Sequence, residues 1–183
     1  MKGIIIYKGK YGATRQYAEW LGNKLRLPVS VASAIKRDQL AAFDFFVIGT
    51  SVYIGKLQIK KWLSGNLSFL KGKKIFLFQV AGTPPEETGK RQAYNLAGIP
   101  EELISQCKFY FLAGRMIVRE LSWMDRFMLK MGARLAKDPG DRNNMLSDYD
   151  HVRKENLREL TAAIQDVLQP GSLHPGKAIL HNT

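Results

Sequence analysis

The sequence has one cysteine and three histidines among its 183 residues. A lone thiol, Cys107, closes no intramolecular disulfide, and no cysteine cluster exists to ligate zinc or an iron–sulfur centre. His151, His174 and His181 lack metal-ligand spacing, so no metal is expected. The longest apolar runs, 75–80 and 109–113, are strand-sized, far short of the roughly 18 residues that span a bilayer. The first seven residues lack the longer apolar stretch and small-residue cleavage site of a secretory leader. These features lead us to expect a cytoplasmic chain. Acidic residues are also scarce, at 16 against 28 Lys and Arg, giving a net charge of +12. The imbalance is steep in residues 1–60, where ten basic residues face three acids. Such a charge calls for an anionic partner: nucleic acid, a lipid surface or an acidic small molecule. No recognised nucleic-acid-binding module is present, so nucleic acid is not expected.

What the sequence does hold is globular: 45% hydrophobic and 24% charged residues, enough for one domain with a buried core. Residues 3–7 form a continuous β-branched run, the pattern of a central parallel strand covered on both faces. A helix follows to about residue 26, with Ala18, Leu21, Gly22 and Leu25 on one face, and Pro28 ends it. Strands are predicted again at 29–32, 45–49, 75–80 and 108–113, with short helices at 58–64 and 90–96 between them. A last helix over 150–169 has Leu157, Leu160, Thr161, Ile164 and Leu168 on one face. Ser147-Asp148-Tyr149-Asp150 offers it a capping box, and Pro170-Gly171 a stop. Strands alternating with helices predict an α/β fold, a doubly wound five-stranded parallel sheet of order 2-1-3-4-5 with helices on both faces. The domain spans 1–169, and 170–183 reads as a loose tail. An insertion at about 114–149 exceeds the minimal pattern. It holds an amphipathic helix at 121–137, with Met124, Phe127, Met128, Met131 and Leu135 on one face and a basic stripe of Arg126, Lys130, Arg134 and Lys137.

In such a sheet, ligands bind beyond the carboxyl ends of the strands. Three loops meet there. Gly9-Lys10-Tyr11-Gly12-Ala13-Thr14 leads into a helix, and its amides, the helix dipole and the Thr14 hydroxyl suit an anion, although a plain tight turn reads the same way. Ser51-Val52-Tyr53-Ile54-Gly55 could present amides and one ring to a flat ligand, or simply pack Tyr53 on the neighbouring helix. Ala81-Gly82-Thr83 could close the other side, or be a turn stiffened by Pro84-Pro85. A phosphate at one end and a flat ring at the other describe a flavin mononucleotide (FMN) site.

Here the sequence resembles the flavodoxin-like superfamily, whose phosphate loop reads approximately Ser/Thr-x-Thr-Gly-x-Thr. Gly12 and Thr14 match. Lys8, Gly9 and Lys10 replace the preceding hydroxyls, which predicts that lysine charge takes over part of the phosphate contact. Leu112-Ala113-Gly114-Arg115 and Trp123-Met124-Asp125-Arg126-Phe127-Met128-Leu129-Lys130 look like the menaquinone-dependent protoporphyrinogen oxidase family of long-chain flavodoxin-domain proteins. Tyr149-Asp150-x-Val152 is also similar. The resemblance implies FMN as cofactor, a tetrapyrrole substrate and a membrane quinone as acceptor. The cofactor carries the chemistry, so no catalytic side chain is named.

On this reading Arg115, Arg119, Trp123, Arg126 and Lys130 meet substrate carboxylates or an anionic membrane surface on the inner face of the cell membrane. The inserted helix fits an interfacial helix, and equally a helix docked on the sheet by its Met-rich face. The alternative functions are an FMN electron carrier, a quinone reductase of another pathway and a flavin-free adaptor. Cys107, opening a buried strand, is expected to be structural. No motif speaks to oligomeric state.

Overall fold

The computed structural model describes residues 1–82, 87–135 and 146–169. Five parallel strands form the main sheet: β1 (Gly3–Lys8), β2 (Val29–Val31), β3 (Phe45–Tyr53), β5 (Lys74–Ala81) and β6 (Cys107–Ala113). Their order is β2-β1-β3-β5-β6, which is the predicted 2-1-3-4-5, and a short β4 (Lys56–Leu57) runs antiparallel to β3. Register is fixed by the period-two alternation of side chains. Ile5 pairs with Val47, and Val47 with Phe76. Ile5, Phe45, Val47, Phe76 and Phe78 point to one face, where Tyr17 and Leu21 of α1 (Ala13–Leu25) and Leu160 and Ile164 of α8 (Arg158–Leu168) cover them. Ile4, Ile6, Phe46, Ile48, Ile75 and Leu77 point to the other. Leu40 of α2 (Arg37–Leu40), Leu63 of α3 (Lys60–Gly65), Leu70 of α4 (Leu67–Leu70) and Leu103 of α6 (Glu101–Ile104) pack on them. Tyr94 of α5 (Thr88–Gly98) joins that layer. Each such side chain, fully buried, contributes roughly 1.5–3 kcal/mol.

Three predicted elements are corrected. The loop expected after residue 49 is strand as far as Tyr53. The chain then reverses through Ile54 (φ 49°) and Gly55 (φ 67°), the positive-φ pair of a two-residue hairpin, so that Val52 pairs with Leu57. The last helix does not begin at residue 150. Tyr149–Asp150 is a strand, β8, antiparallel to β7 (Arg115–Met116), and a 3-10 turn at Lys154–Leu157 precedes α8. The expected capping box is absent because its carboxylates serve turns: Asp148 accepts the Val118 N–H at 2.7 Å and Asp150 the Val152 N–H at 3.0 Å. Likewise, His151 does not start a helix. It follows β8, donates its N–H to Gly114 O at 3.1 Å and stacks on Tyr149.

The third correction concerns the inserted helix, α7 (Trp123–Leu135). Its Met-rich face does not dock on the sheet. Asp125 and Ala133 are buried and Leu129 half-buried, a stripe at i, i+4, i+8. Met124, Phe127, Met128, Met131 and Leu135 are exposed, as is Trp123 at 74%. Lys137 and the tail 170–183 lie outside the described residues. Among those residues, no helix is long and apolar enough to cross a membrane.

Candidate functional site

At the carboxyl ends of β1, β3, β5 and β6 lies a cavity of about 420 Å³, within the range of small-molecule sites. Each of the three anticipated loops supplies wall. Lys10, Tyr11, Ala13 and Thr14 come from the first, Ser51, Val52, Tyr53 and Ile54 from the second, and Ala81 and Gly82 from the third. The insertion closes the cavity with Arg115, Met116, Leu121, Asp125, Met128 and Leu129, and Tyr149 of β8 adds to the wall.

The remaining anticipated residues shape the backbone or lie elsewhere. Gly12 holds the left-handed conformation (φ 83°) just before α1, where a residue with a Cβ is strained. Gly9 packs on the Thr14 side chain, and Gly55 completes the hairpin turn. Thr83 lies outside the described residues. Arg119, Trp123, Arg126 and Lys130 are exposed, and none of the four lines the cavity. The structure therefore separates Arg115 from the group in which the sequence placed it.

The first turn of α1 borders the cavity with Ala13 and Thr14. No side chain caps this helix and no acid lies in its first turn, so its positive end is free for an anion. The Thr14 hydroxyl is buried at the cavity wall without a hydrogen-bond partner. A buried orphan hydroxyl is costly unless a ligand satisfies it. The residues present thus fit a phosphate. Tyr53, Ile54 and Gly82 line the cavity as well. Tyr149 presses against Gly82 where any Cβ would collide with its phenol, and burial pushes that phenol's pKa up. Ser51 donates to Gln58 Oε1 at 2.7 Å, which ties the hairpin to the segment that follows.

The residue that sequence reasoning missed is Asp125. Its Oδ2 accepts Lys10 Nζ at 2.6 Å and the Tyr11 hydroxyl, and its Oδ1 accepts the Tyr53 hydroxyl at 2.5 Å. Lys10 Nζ also lies 3.1 Å from the Tyr53 hydroxyl and 4.2 Å above the Tyr53 ring. The Asp125 hydrogen bond, seconded by Tyr53, raises the Lys10 pKa. Ser122 accepts the Asp125 N–H at 3.2 Å as the cap of α7, and an acid in the first turn suits the helix dipole. A signal was available, since Asp125 is the only acid between residues 121 and 137.

These contacts also explain why α7 sits with its apolar face outward. A buried carboxylate is stable only when paired and hydrogen-bonded, and all three partners stand on the cavity wall. The compensating lysine charge anticipated for a phosphate is consequently spent on Asp125.

A flavodoxin domain family model matches residues 4–143, and the chain belongs to that family. Among solved structures, the chain is similar to oxidised flavodoxin 2 from Bacillus cereus (15% identity, 91% of this chain and 99% of that one, TM-score 0.46). It is also similar to two-electron reduced Megasphaera elsdenii flavodoxin (16% identity, 61% and 85%, TM-score 0.46). An azoreductase from Bacillus anthracis str. Sterne shows 8% identity over 89% and 98%, with a TM-score of 0.43. No curated protein matches the sequence.

Proposed function

We propose that the cavity holds FMN and that the protein oxidises protoporphyrinogen IX, passing the electrons to a membrane quinone. The observation that carries this reading is the two-sided inserted helix. Its inner stripe of Asp125 and Leu129 walls the cavity, while its outer face carries Trp123, Phe127, Met131 and Leu135 beside Arg126, Lys130 and Arg134. Membrane-held quinones call for a protein that brings its flavin to the lipid surface. An exposed apolar face with a cationic flank suits that surface, and each nearby Lys or Arg contributes roughly 1 kcal/mol against anionic lipid.

When bound, a flavin supplies the two-electron redox step. The chain's own residues do the rest. The α1 terminus and Thr14 hold the phosphate end, while Tyr53, Ile54 and Gly82 hold the ring. Asp125 locks Tyr11, Tyr53 and Lys10 in place and, with Leu129 and Met128, shields the cavity from water. Arg119, Arg126 and Lys130 offer charge to substrate propionates or lipid head groups.

The test is FMN-loaded protein in vesicles containing menaquinone, with protoporphyrinogen IX added anaerobically. Porphyrin fluorescence should appear in step with quinol formation. No porphyrin and no quinol, with the bound FMN still reducible by dithionite, would leave a plain FMN electron carrier.

A further inference from the structure

The phosphate end of the cavity needs positive charge, and the first loop does not supply it. Lys8 is exposed, and the Lys10 ammonium is held by Asp125 at 2.6 Å. We propose that Arg115, brought in by the β7–β8 hairpin of the insertion, is the charge partner of a phosphate monoester bound at the N-terminus of α1 and so sets the preference for a phosphorylated ligand.

Three observations converge on this assignment. The Arg115 guanidinium lies over the loop: its Nη2 is 3.5 Å from Tyr11 O and 3.3 Å from where a Cβ on Gly12 would stand. Its ion pair with Asp150 is loose, at 3.6 Å, and Asp150 also faces Arg153 at 3.9 Å, so the guanidinium is not saturated there. The buried Thr14 hydroxyl at the same end of the cavity wall has no partner. A helix terminus, an orphan hydroxyl and a planar five-donor cation together match the three terminal oxygens of a phosphate monoester. The hydroxyls missing before Gly12 are thereby replaced by a cation 104 positions beyond Tyr11.

The proposal rests on the FMN reading, and flavin pairs test both. Apoprotein is titrated with FMN and with riboflavin, which differ only in the phosphate. Wild type should prefer FMN. R115Q should lose FMN affinity by on the order of 10–100-fold, the range for a charge-assisted hydrogen bond, with riboflavin affinity unchanged within about twofold. R115K should fall between them, because it keeps the charge and loses the fork.

D150N removes the hairpin ion pair, keeps the acceptor for the Val152 N–H, and should leave the preference intact. Equal weakening of both flavins in R115Q, or an equal loss of preference in D150N, overturns the assignment and leaves the FMN reading standing. If wild type binds neither flavin, the FMN reading fails. Inorganic phosphate then decides: protection against thermal unfolding that R115Q abolishes supports the subsite, and no protection of wild type overturns it.

Discussion

The Tyr53 hydroxyl donates to Asp125 Oδ1 at 2.5 Å, joining the end of β3 to the inserted helix across 72 positions of sequence. The insertion is therefore fastened to the loops that line the cavity.

Replacing Asp125 tests that fastening. D125A leaves Tyr11, Tyr53 and Lys10 without their shared acceptor, and should cost about 1–3 kcal/mol of stability. D125N keeps one carbonyl oxygen and should cost less. Urea unfolding measures both, and the same variants should weaken FMN binding, since Tyr53 and Lys10 line the site. A D125A protein as stable as wild type would show that the helix is positioned by its apolar contacts instead.

Ile54 carries the opposite expectation. A β-branched residue at φ 49° is strained, whereas Asn followed by Gly is the favoured pair for this hairpin turn. Ile54 is 59% exposed, so little burial is lost on replacement. I54N should stabilise the fold by about 1 kcal/mol and weaken flavin binding, because Ile54 lines the cavity. A melting temperature that falls, or flavin affinity that rises, contradicts this account.

Alkaline pH should destabilise the protein. Burial pushes the Cys107 thiol from its ordinary 9.0 up to about 12, and the Lys10 and Tyr149 values are also raised. A raised value means that the folded chain holds its proton more tightly than the unfolded one. The stabilisation is therefore complete below the unfolded value and is lost as pH climbs through the folded one. For Cys107 that window runs from 9.0 to about 12. Stability should decline above pH 9, and C107A should flatten the first part of the decline. The native thiol should also resist a disulfide reagent at pH 8 until the protein is unfolded.

The outer face of α7 predicts lipid selectivity. Wild type should sediment with anionic vesicles and much less with zwitterionic ones, and added salt should weaken the association. Phe127→Ser with Met131→Ser should abolish sedimentation while leaving the melting temperature within about 2 °C, since both residues are already exposed. Equal binding to both vesicle types would remove the electrostatic part of the reading.

The sheet was legible because strands buried on two faces read as continuous apolar runs, and 45–49 and 75–80 have no other use. The extension of β3 was not. Thr50 and Ser51 look like a loop, and nothing local announces a reversal through a strained Ile54. The three loops at the carboxyl ends of the strands were legible from glycine and topology, and ten of their residues line the cavity. For the insertion the sequence left two orientations open, and the choice between them has a physical reason. Amphipathicity assumes that the apolar face turns inward, whereas here a single carboxylate with partners as much as 115 positions away sets the rotation. Tyr149 and Asp150 looked like a helix start because capping and turn residues are chemically the same.

The rotation of α7 has a consequence for how such a protein can change. Its inner stripe is buried, whereas Trp123, Met124, Phe127, Met131 and Leu135 are exposed and do not line the cavity. Substitutions there are free of the folding constraint that holds Asp125 and Ala133 in place. The helix thus separates two design problems along one axis: the stripe at 125, 129 and 133 seats the helix, with Asp125 and Leu129 on the cavity wall, and the exposed side can be rewritten for a different surface without rebuilding that wall.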